Sequence, residues 1–152
     1  IEAGTTNNII PASAFLEGTI RTFDEGVRSK IKDAVSRVAH GTSQAHGCTC
    51  TSEVISGYPV TINNEEQALL TSRVASALVG ADGFHMAEDP ALAAEDFSYV
   101  LNQVPGAMAM MGVCPDDVSP AEAAPNHSNF MRVNESAFYN GVGLYAAMAM
   151  VG

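Results

Sequence analysis

The chain has 152 residues, 47% of them hydrophobic, and seven Lys and Arg against seventeen Asp and Glu give it a formal charge of -10. That length allows one or two domains with a real core, burying about 68 to 70% of the surface an unfolded chain exposes, and the negative charge repels phosphate backbones and anionic lipid heads. The longest apolar stretch, Val142 to Val151, is about half the roughly 20 residues a membrane helix needs, so no spanning segment is expected.

The chain opens at Ile1 without an initiator Met, a basic segment or an apolar leader, which suggests a cut start and a signal peptide that is absent or removed. Asn7 to Pro11 reads as a connection, because Pro11 lacks a backbone N–H and pushes Ile10 into an extended conformation. Residues 14 to 23 then alternate. Leu16, Ile20 and Thr22 fall on one face, and Phe15, Glu17, Thr19 and Arg21 on the other, a strand with one polar face. A helix is expected next, capped by Asp24, with Val27, Ile31, Ala34, Val35 and Val38 on one stripe and Gly41 or Gly47 at its end. The segment is read as holding two extended runs before this helix, so with Cys48 to Ser56 as a third strand the first 60 or so residues give the order β-β-α-β, expected to form a small antiparallel sheet with the helix on one side.

The turn-rich stretch from Ser56 to Asn64 separates this segment from a second. There a helix follows the Asn63-Asn64 cap, with Leu70, Val74, Ala77 and Leu78 at helical spacing and Gly80 as its stop. A short helix spans Glu95 to Asn102, and the apolar run Ala107 to Val113 suits a strand buried on both faces. The acidic, proline-containing loop from Cys114 to Pro125 should be exposed. A final helix from Glu135, capped by Asn134, places Phe138, Val142, Tyr145, Ala146 and Ala149 on one face. Gly141 and Gly143 each weaken it by roughly 1 kcal/mol relative to Ala, which close packing against a neighbour would justify.

Chemistry-bearing residues are sparse. Cys48 and Cys50, two apart in an extended run, would lie on one face about 7 Å apart without disulfide geometry, so free thiols in a reducing cytoplasm are expected. A site of Cys48, Cys50 and Cys114 would still need a fourth metal ligand. No His-x-Asp, Cys-x-x-Cys or His-Glu-x-x-His string occurs. The informative element is Asn126-His127-Ser128-Asn129-Phe130, followed by Asn134-Glu135 and the last helix, which puts one histidine at a loop-to-helix junction.

Together with Asn8-Ile9-Ile10-Pro11, Glu17-Gly18-Thr19-Ile20-Arg21-Thr22, Tyr58-Pro59, Ala94-Glu95-Asp96-Phe97-Ser98-Tyr99 and Val104-Pro105-Gly106, this element resembles the di-metal amidohydrolases of the aminoacylase, hippurate hydrolase and carboxypeptidase G type. The match runs nearly end to end. It implies an α/β (α+β) fold in which residues 1–61 are the latter half of an antiparallel-sheet lid and dimerisation domain, and residues 62–152 are the C-terminal part of an α/β zinc-hydrolase catalytic domain. It further implies a homodimer, a small N-acyl amino acid substrate, and zinc as the cofactor, two divalent ions to a complete site with other divalent metals allowed. The family's paired metal ligands and its catalytic Glu lie in motifs with no counterpart here, so the resemblance gives this chain no catalytic residue and makes the upstream part of the same polypeptide its partner.

Carried over residue by residue, His127 matches the family's last metal-binding histidine. An imidazole is a good zinc ligand, and an open coordination position is what a hydrolytic zinc needs to activate water. Its structural alternative is a loop histidine hydrogen-bonded to a neighbour. Asn129 stands where the family more often has Pro, and Asn134 where it has Asp. Asn8 and Arg21 match lid residues that reach the substrate's carboxylate and reacting carbonyl. Arg offers a planar fork for a carboxylate, although a cross-strand pair with Glu17 or Glu53 would equally account for Arg21, and Asn8 could simply cap its turn. Glu95 and Asp96 suit either a site-supporting role or the dipole of a helix start. His40, His46 and His85 match no motif and read as surface or helix-end residues. Two other classes remain open: a non-catalytic dimerisation or interaction module, and a family member without its metal.

Overall fold

Three side-chain caps set the helix starts in the computed structural model, which describes residues 1–151. The Asp24 carboxylate accepts from Val27 N at 2.7 Å and opens α1, Glu25–Ala45. Asn64 accepts from Gln67 N at 3.1 Å and opens α2, Glu65–Val79. Asn134 accepts from Ser136 N at 3.1 Å and starts a 3-10 turn, Glu135–Ala137, that runs straight into α4, Phe138–Val151. Each cap satisfies an N–H that the helix cannot. Between α2 and α4 lies a single helical turn, α3, Ser98–Leu101, shorter than the expected span of Glu95 to Asn102.

Two glycines set the ends. At the foot of α1, Gly47 takes φ 70, Cys48 N reaches Ser43 O at 2.8 Å and Gly47 N reaches Gln44 O at 3.1 Å, the paired bonds of a Schellman cap. Of the two expected stops, Gly47 is therefore the one used, and α1 passes through Gly41. Gly80, at φ 81, ends α2 as anticipated.

The chain divides into two units. One comprises residues 1–60 with 91–96, the other residues 61–90 with 97–152. In the first, the run from Ser52 to Tyr58 is laid antiparallel along α1. Arg28 donates to Tyr58 O at 2.8 Å, Lys32 to Ser56 Oγ at 2.8 Å, and Ser52 Oγ to Ser36 Oγ at 3.0 Å. Arg28, Lys32 and Ser36 stand at i, i+4 and i+8, one row on the helix. In the second unit α2 packs on α4. Its innermost residues are Thr71 and Ala75 of α2, and Ser98 at the start of α3 is fully buried.

The expected α/β (α+β) architecture, with an antiparallel-sheet lid over residues 1–61, is not what forms. Among the described residues the only β pairing is an isolated antiparallel bridge between Glu2 and Phe15, and no strand is present in residues 62–151 either. The physical reason is that a strand is a pairing, and alternation supplies a face without a partner. The run Cys48 to Ser56 lies along α1 and meets its polar row through the hydroxyls of Ser52 and Ser56 rather than through a neighbouring strand. In Ala107 to Val113 the carboxamide of Asn63 takes the place of a neighbouring strand. Its Nδ2 donates to Met108 O at 3.1 Å and its Oδ1 accepts from Met108 N at 2.8 Å. No described helix is long and apolar enough to cross a membrane.

Candidate functional site

In the first unit the segment that leads into α1 carries Arg21. Its Nη1 donates to Leu92 O at 2.7 Å, and among the described residues nothing else bonds its guanidinium, neither Glu17 nor Glu53. The side chain lies in an open groove with Phe23, Val27, Ile31 and Leu92. One edge of the fork is thus anchored, and the edge formed by Nε and Nη2 remains for a planar acceptor. Asn8, in the same unit, is held within its own turn, where its Oδ1 accepts from Thr6 Oγ1. It does not line the Arg21 groove.

His127 lies in the second unit. Ser128 N donates to Pro125 O at 3.1 Å and closes a turn whose third residue, His127, has φ 69, the sign that position takes in a type II turn. Among the described residues His127 is the only non-glycine with a positive φ. A left-handed conformation costs a residue with a Cβ roughly 1–2 kcal/mol, so the surrounding turn has to hold it there. Around it the loop is stitched down. The Oγ of Ser128 accepts from Phe130 N at 3.1 Å, and Asn134 N donates to Val113 O at 2.8 Å. No described residue bonds the His127 imidazole, which is exposed. The loop-histidine alternative, a ring fixed by a neighbour, is not the arrangement found.

Two contacts that sequence reasoning missed frame this loop. Arg132 grips Asp117 with both terminal nitrogens, at 3.0 and 3.1 Å. That hydrogen bond lowers the Asp117 carboxyl below its ordinary pKa. A depressed carboxylate contributes stability above its unfolded pKa and loses it as pH falls through the folded one, so the pair weakens only in strongly acidic solution. Asn134 Nδ2 donates to Asp116 Oδ1 at 3.3 Å. An Asp at 134 would set a second carboxylate against Asp116, so the departure from the family's residue suits this loop. Neither contact has a local sequence signal, because the partners are 15 and 18 residues apart.

The remaining candidates take structural places. Asp96 belongs to the first unit, directly before Phe97 and Ser98 of the second. Glu95 in the same stretch is half-buried and has an interaction partner. His40 Nδ1 lies 2.7 Å from Ser36 O, and His46 is the C-cap of α1. Cys48, Cys50 and Cys114 are free thiols. Among the described residues no three His, Cys, Asp or Glu side chains come together to hold a metal. The chain's own donor set does not fit a metal centre, and His127 amounts to one ligand.

Comparison with known proteins agrees with the motif reading. The chain is 34% identical over 151 residues to thermostable carboxypeptidase 2 of Saccharolobus solfataricus, which covers 99% of this chain and 37% of that protein. It is 38% identical over 115 residues to N-acetyldiaminopimelate deacetylase of Streptococcus suis, 74% of this chain and 30% of the relative. It is 34% identical over 116 residues to N-acetyl-L-cysteine deacetylase of Bacillus subtilis, 76% of this chain and 27% of the relative. The chain thus spans about a third of the length of the relatives it matches. No solved structure matches it. Residues 5–151 match the family described as peptidase family M20/M25/M40, and the chain belongs to that family.

Proposed function

We propose that this chain is part of a longer metal-dependent amidohydrolase that cleaves the amide bond of N-acyl amino acids or similar conjugates. In this reading residues 1–61 belong to a lid and residues 62–152 to the catalytic domain. What supports it is the chemistry shared by the relatives' names. A carboxypeptidase and an N-acetyl amino acid deacetylase both cut an amide attached to an amino acid that keeps a free carboxylate. Arg21 offers that carboxylate a fork with one edge open, and this is the observation that carries the proposal. Asn8 is the second proposed substrate contact, from a turn two residues beyond Thr6.

His127 is proposed as one ligand of a divalent metal, zinc by the resemblance, whose other ligands would come from polypeptide beyond this chain. A bound metal of that kind supplies an activated water. The turn contributes an exposed imidazole with no competing hydrogen bond. Free thiols suit a reducing compartment, and the cytoplasm is the proposed location. A homodimer is proposed from the resemblance alone, and no sheet among the described residues supplies an edge for its seam.

The test is substrate discrimination by the complete protein. Arg21→Ala should lower kcat/KM for an N-acetyl amino acid by on the order of 10 to 150 fold, the worth of a hydrogen bond to a charged group, and should barely affect the corresponding uncharged amide. Equal losses on both would show that Arg21 supports the fold instead. A complete protein that hydrolyses no acyl amino acid, with or without added divalent metal, would favour the non-catalytic interaction module.

A further inference from the structure

The loop from Val113 to Asn134, which carries His127, is tied shut at its base by contacts between its two ends. Asn134 N donates to Val113 O at 2.8 Å, and Asn134 Nδ2 to Asp116 Oδ1 at 3.3 Å. Beside them Arg132 holds both carboxylate oxygens of Asp117, at 3.0 and 3.1 Å. Above this neck the bonds are those of short turns: Val118 N to Pro115 O, Glu122 N to Ser119 O, Ser128 N to Pro125 O and Met131 N to Ser128 O. A turn of that kind orders four residues and leaves its arrangement against the next turn open. The neck makes one closed loop of them, because its side-chain contacts join residues 15 and 18 apart.

The His127 turn depends on that closure more than its neighbours do. At φ 69 it takes a conformation that a free chain populates on the order of ten-fold less than the right-handed one, so more than its own Ser128 N to Pro125 O bond has to select it. The turn from Ser128 to Met131 follows at once, and Arg132 comes directly after. A shift of Arg132 therefore reaches His127 through a single turn. The pair it makes with Asp117 stands largely in solvent, where most ion pairs contribute little, but the two-bond grip of an Arg on a carboxylate is the exception because it fixes orientation as well as distance.

We propose that Arg132 is a positioning residue for His127: its grip on Asp117, with the two bonds of Asn134 beside it, closes the loop and keeps the His127 turn left-handed, and so sets where the imidazole stands. The conformational claim rests on the loop alone. Its consequence for turnover rests on the proposed ligand role of His127.

Histidine-labelled NMR of the complete protein tests it, with the His127 amide signal assigned by its absence in His127→Ala. Arg132→Gln and Asp117→Asn each remove the two-bond grip with little change in size. Both should displace or broaden the His127 signal and leave those of His40, His46 and His85 in place, which also reports an intact fold. The double variant should look like either single one, since all three lack the same contact. A His127 signal unmoved by the single variants overturns the inference, and so do displacements that simply add in the double variant. Rates separate it from the amidohydrolase reading. Loss of kcat by up to about 100 fold, the scale of a misplacement of about 1 Å, with KM for an N-acetyl amino acid retained because Arg21 belongs to the other unit, supports both. A displaced signal with unchanged kcat keeps the positioning and removes His127 from the reaction. A displaced signal in a protein that hydrolyses no acyl amino acid even before substitution keeps the positioning and removes the amidohydrolase.

Discussion

At the scale of single residues, His127 holds a turn and, in the proposed reading, also ligates a metal. Its φ of 69 suits glycine at the third place of a type II turn better than any residue with a Cβ, so the imidazole is kept there against the local backbone preference. Observed strain of this kind is a reason to look for a role. The two duties come apart in two variants of the complete protein. His127→Gly should hold or raise the thermal midpoint measured in chelator, since it relieves roughly 1 kcal/mol of strain, yet it should bind less metal. His127→Ala should lower both metal content and turnover and gain nothing in stability. If metal content by elemental analysis is unchanged in both variants, His127 is an ordinary turn residue and its assignment as a ligand fails.

At the scale of elements, helices were legible and strands were not, for a physical reason. A helix satisfies its backbone from within, so its start and stop are written in nearby residues: Asp24, Asn64 and Asn134 cap as read, and Gly80 stops α2. A strand needs a partner from elsewhere, and the runs 14–23, 48–56 and 107–113 carry no information about theirs. Nor did periodicity tell which face of α4 would be covered. The stripe of Phe138, Val142 and Tyr145 is open, at 47, 68 and 84% exposure. The half-buried positions are instead Gly141, Gly143, Leu144, Ala147 and Met148. Of the site, Arg21 and His127 came from motif strings, whereas the grip of Arg132 on Asp117 arises from folding that no short window contains. The two glycines also differ in what a methyl would meet. A Cβ at Gly143 would lie 3.8 and 3.9 Å from the Leu78 methyls, an ordinary contact, but one at Gly141 would lie 3.1 Å from Met111 Sδ, which must then shift. Gly143→Ala should therefore stabilise the complete protein by on the order of 0.5–1 kcal/mol through helix propensity, and Gly141→Ala by less or not at all. Urea unfolding that ranks the two variants the other way would show that α4 is not packed as described.

At the scale of the whole molecule the ruling quantity is surface. The chain exposes 12297 Å², whereas even two separate globular bodies of half its mass would expose roughly 8,900 Å² by the usual scaling. Among the described residues the only buried apolar one is Ala75, while Ile9, Leu16, Ile55, Phe130, Tyr139 and Met150 are among many that stand open. An excess of roughly 3,400 Å² on this chain alone is roughly 6,800 Å² counted over both partners, the scale of the largest obligate interfaces. The relatives it matches continue for nearly two thirds of their length beyond the matched part, enough polypeptide to cover such a surface. The isolated 152 residues should therefore enhance the fluorescence of a hydrophobic dye such as ANS and unfold over a broad denaturant range. With one histidine proposed as a ligand and no three-ligand cluster among the described residues, they should also hydrolyse no acyl amino acid. The complete protein should show weak dye binding, a sharp transition and activity. Adding the remaining polypeptide in trans should quench the dye signal of the isolated chain in proportion to the complex formed. A chain that in isolation leaves the dye dark and unfolds sharply would mean that its apolar surface is already covered, and the argument for a larger covering body would fall with it.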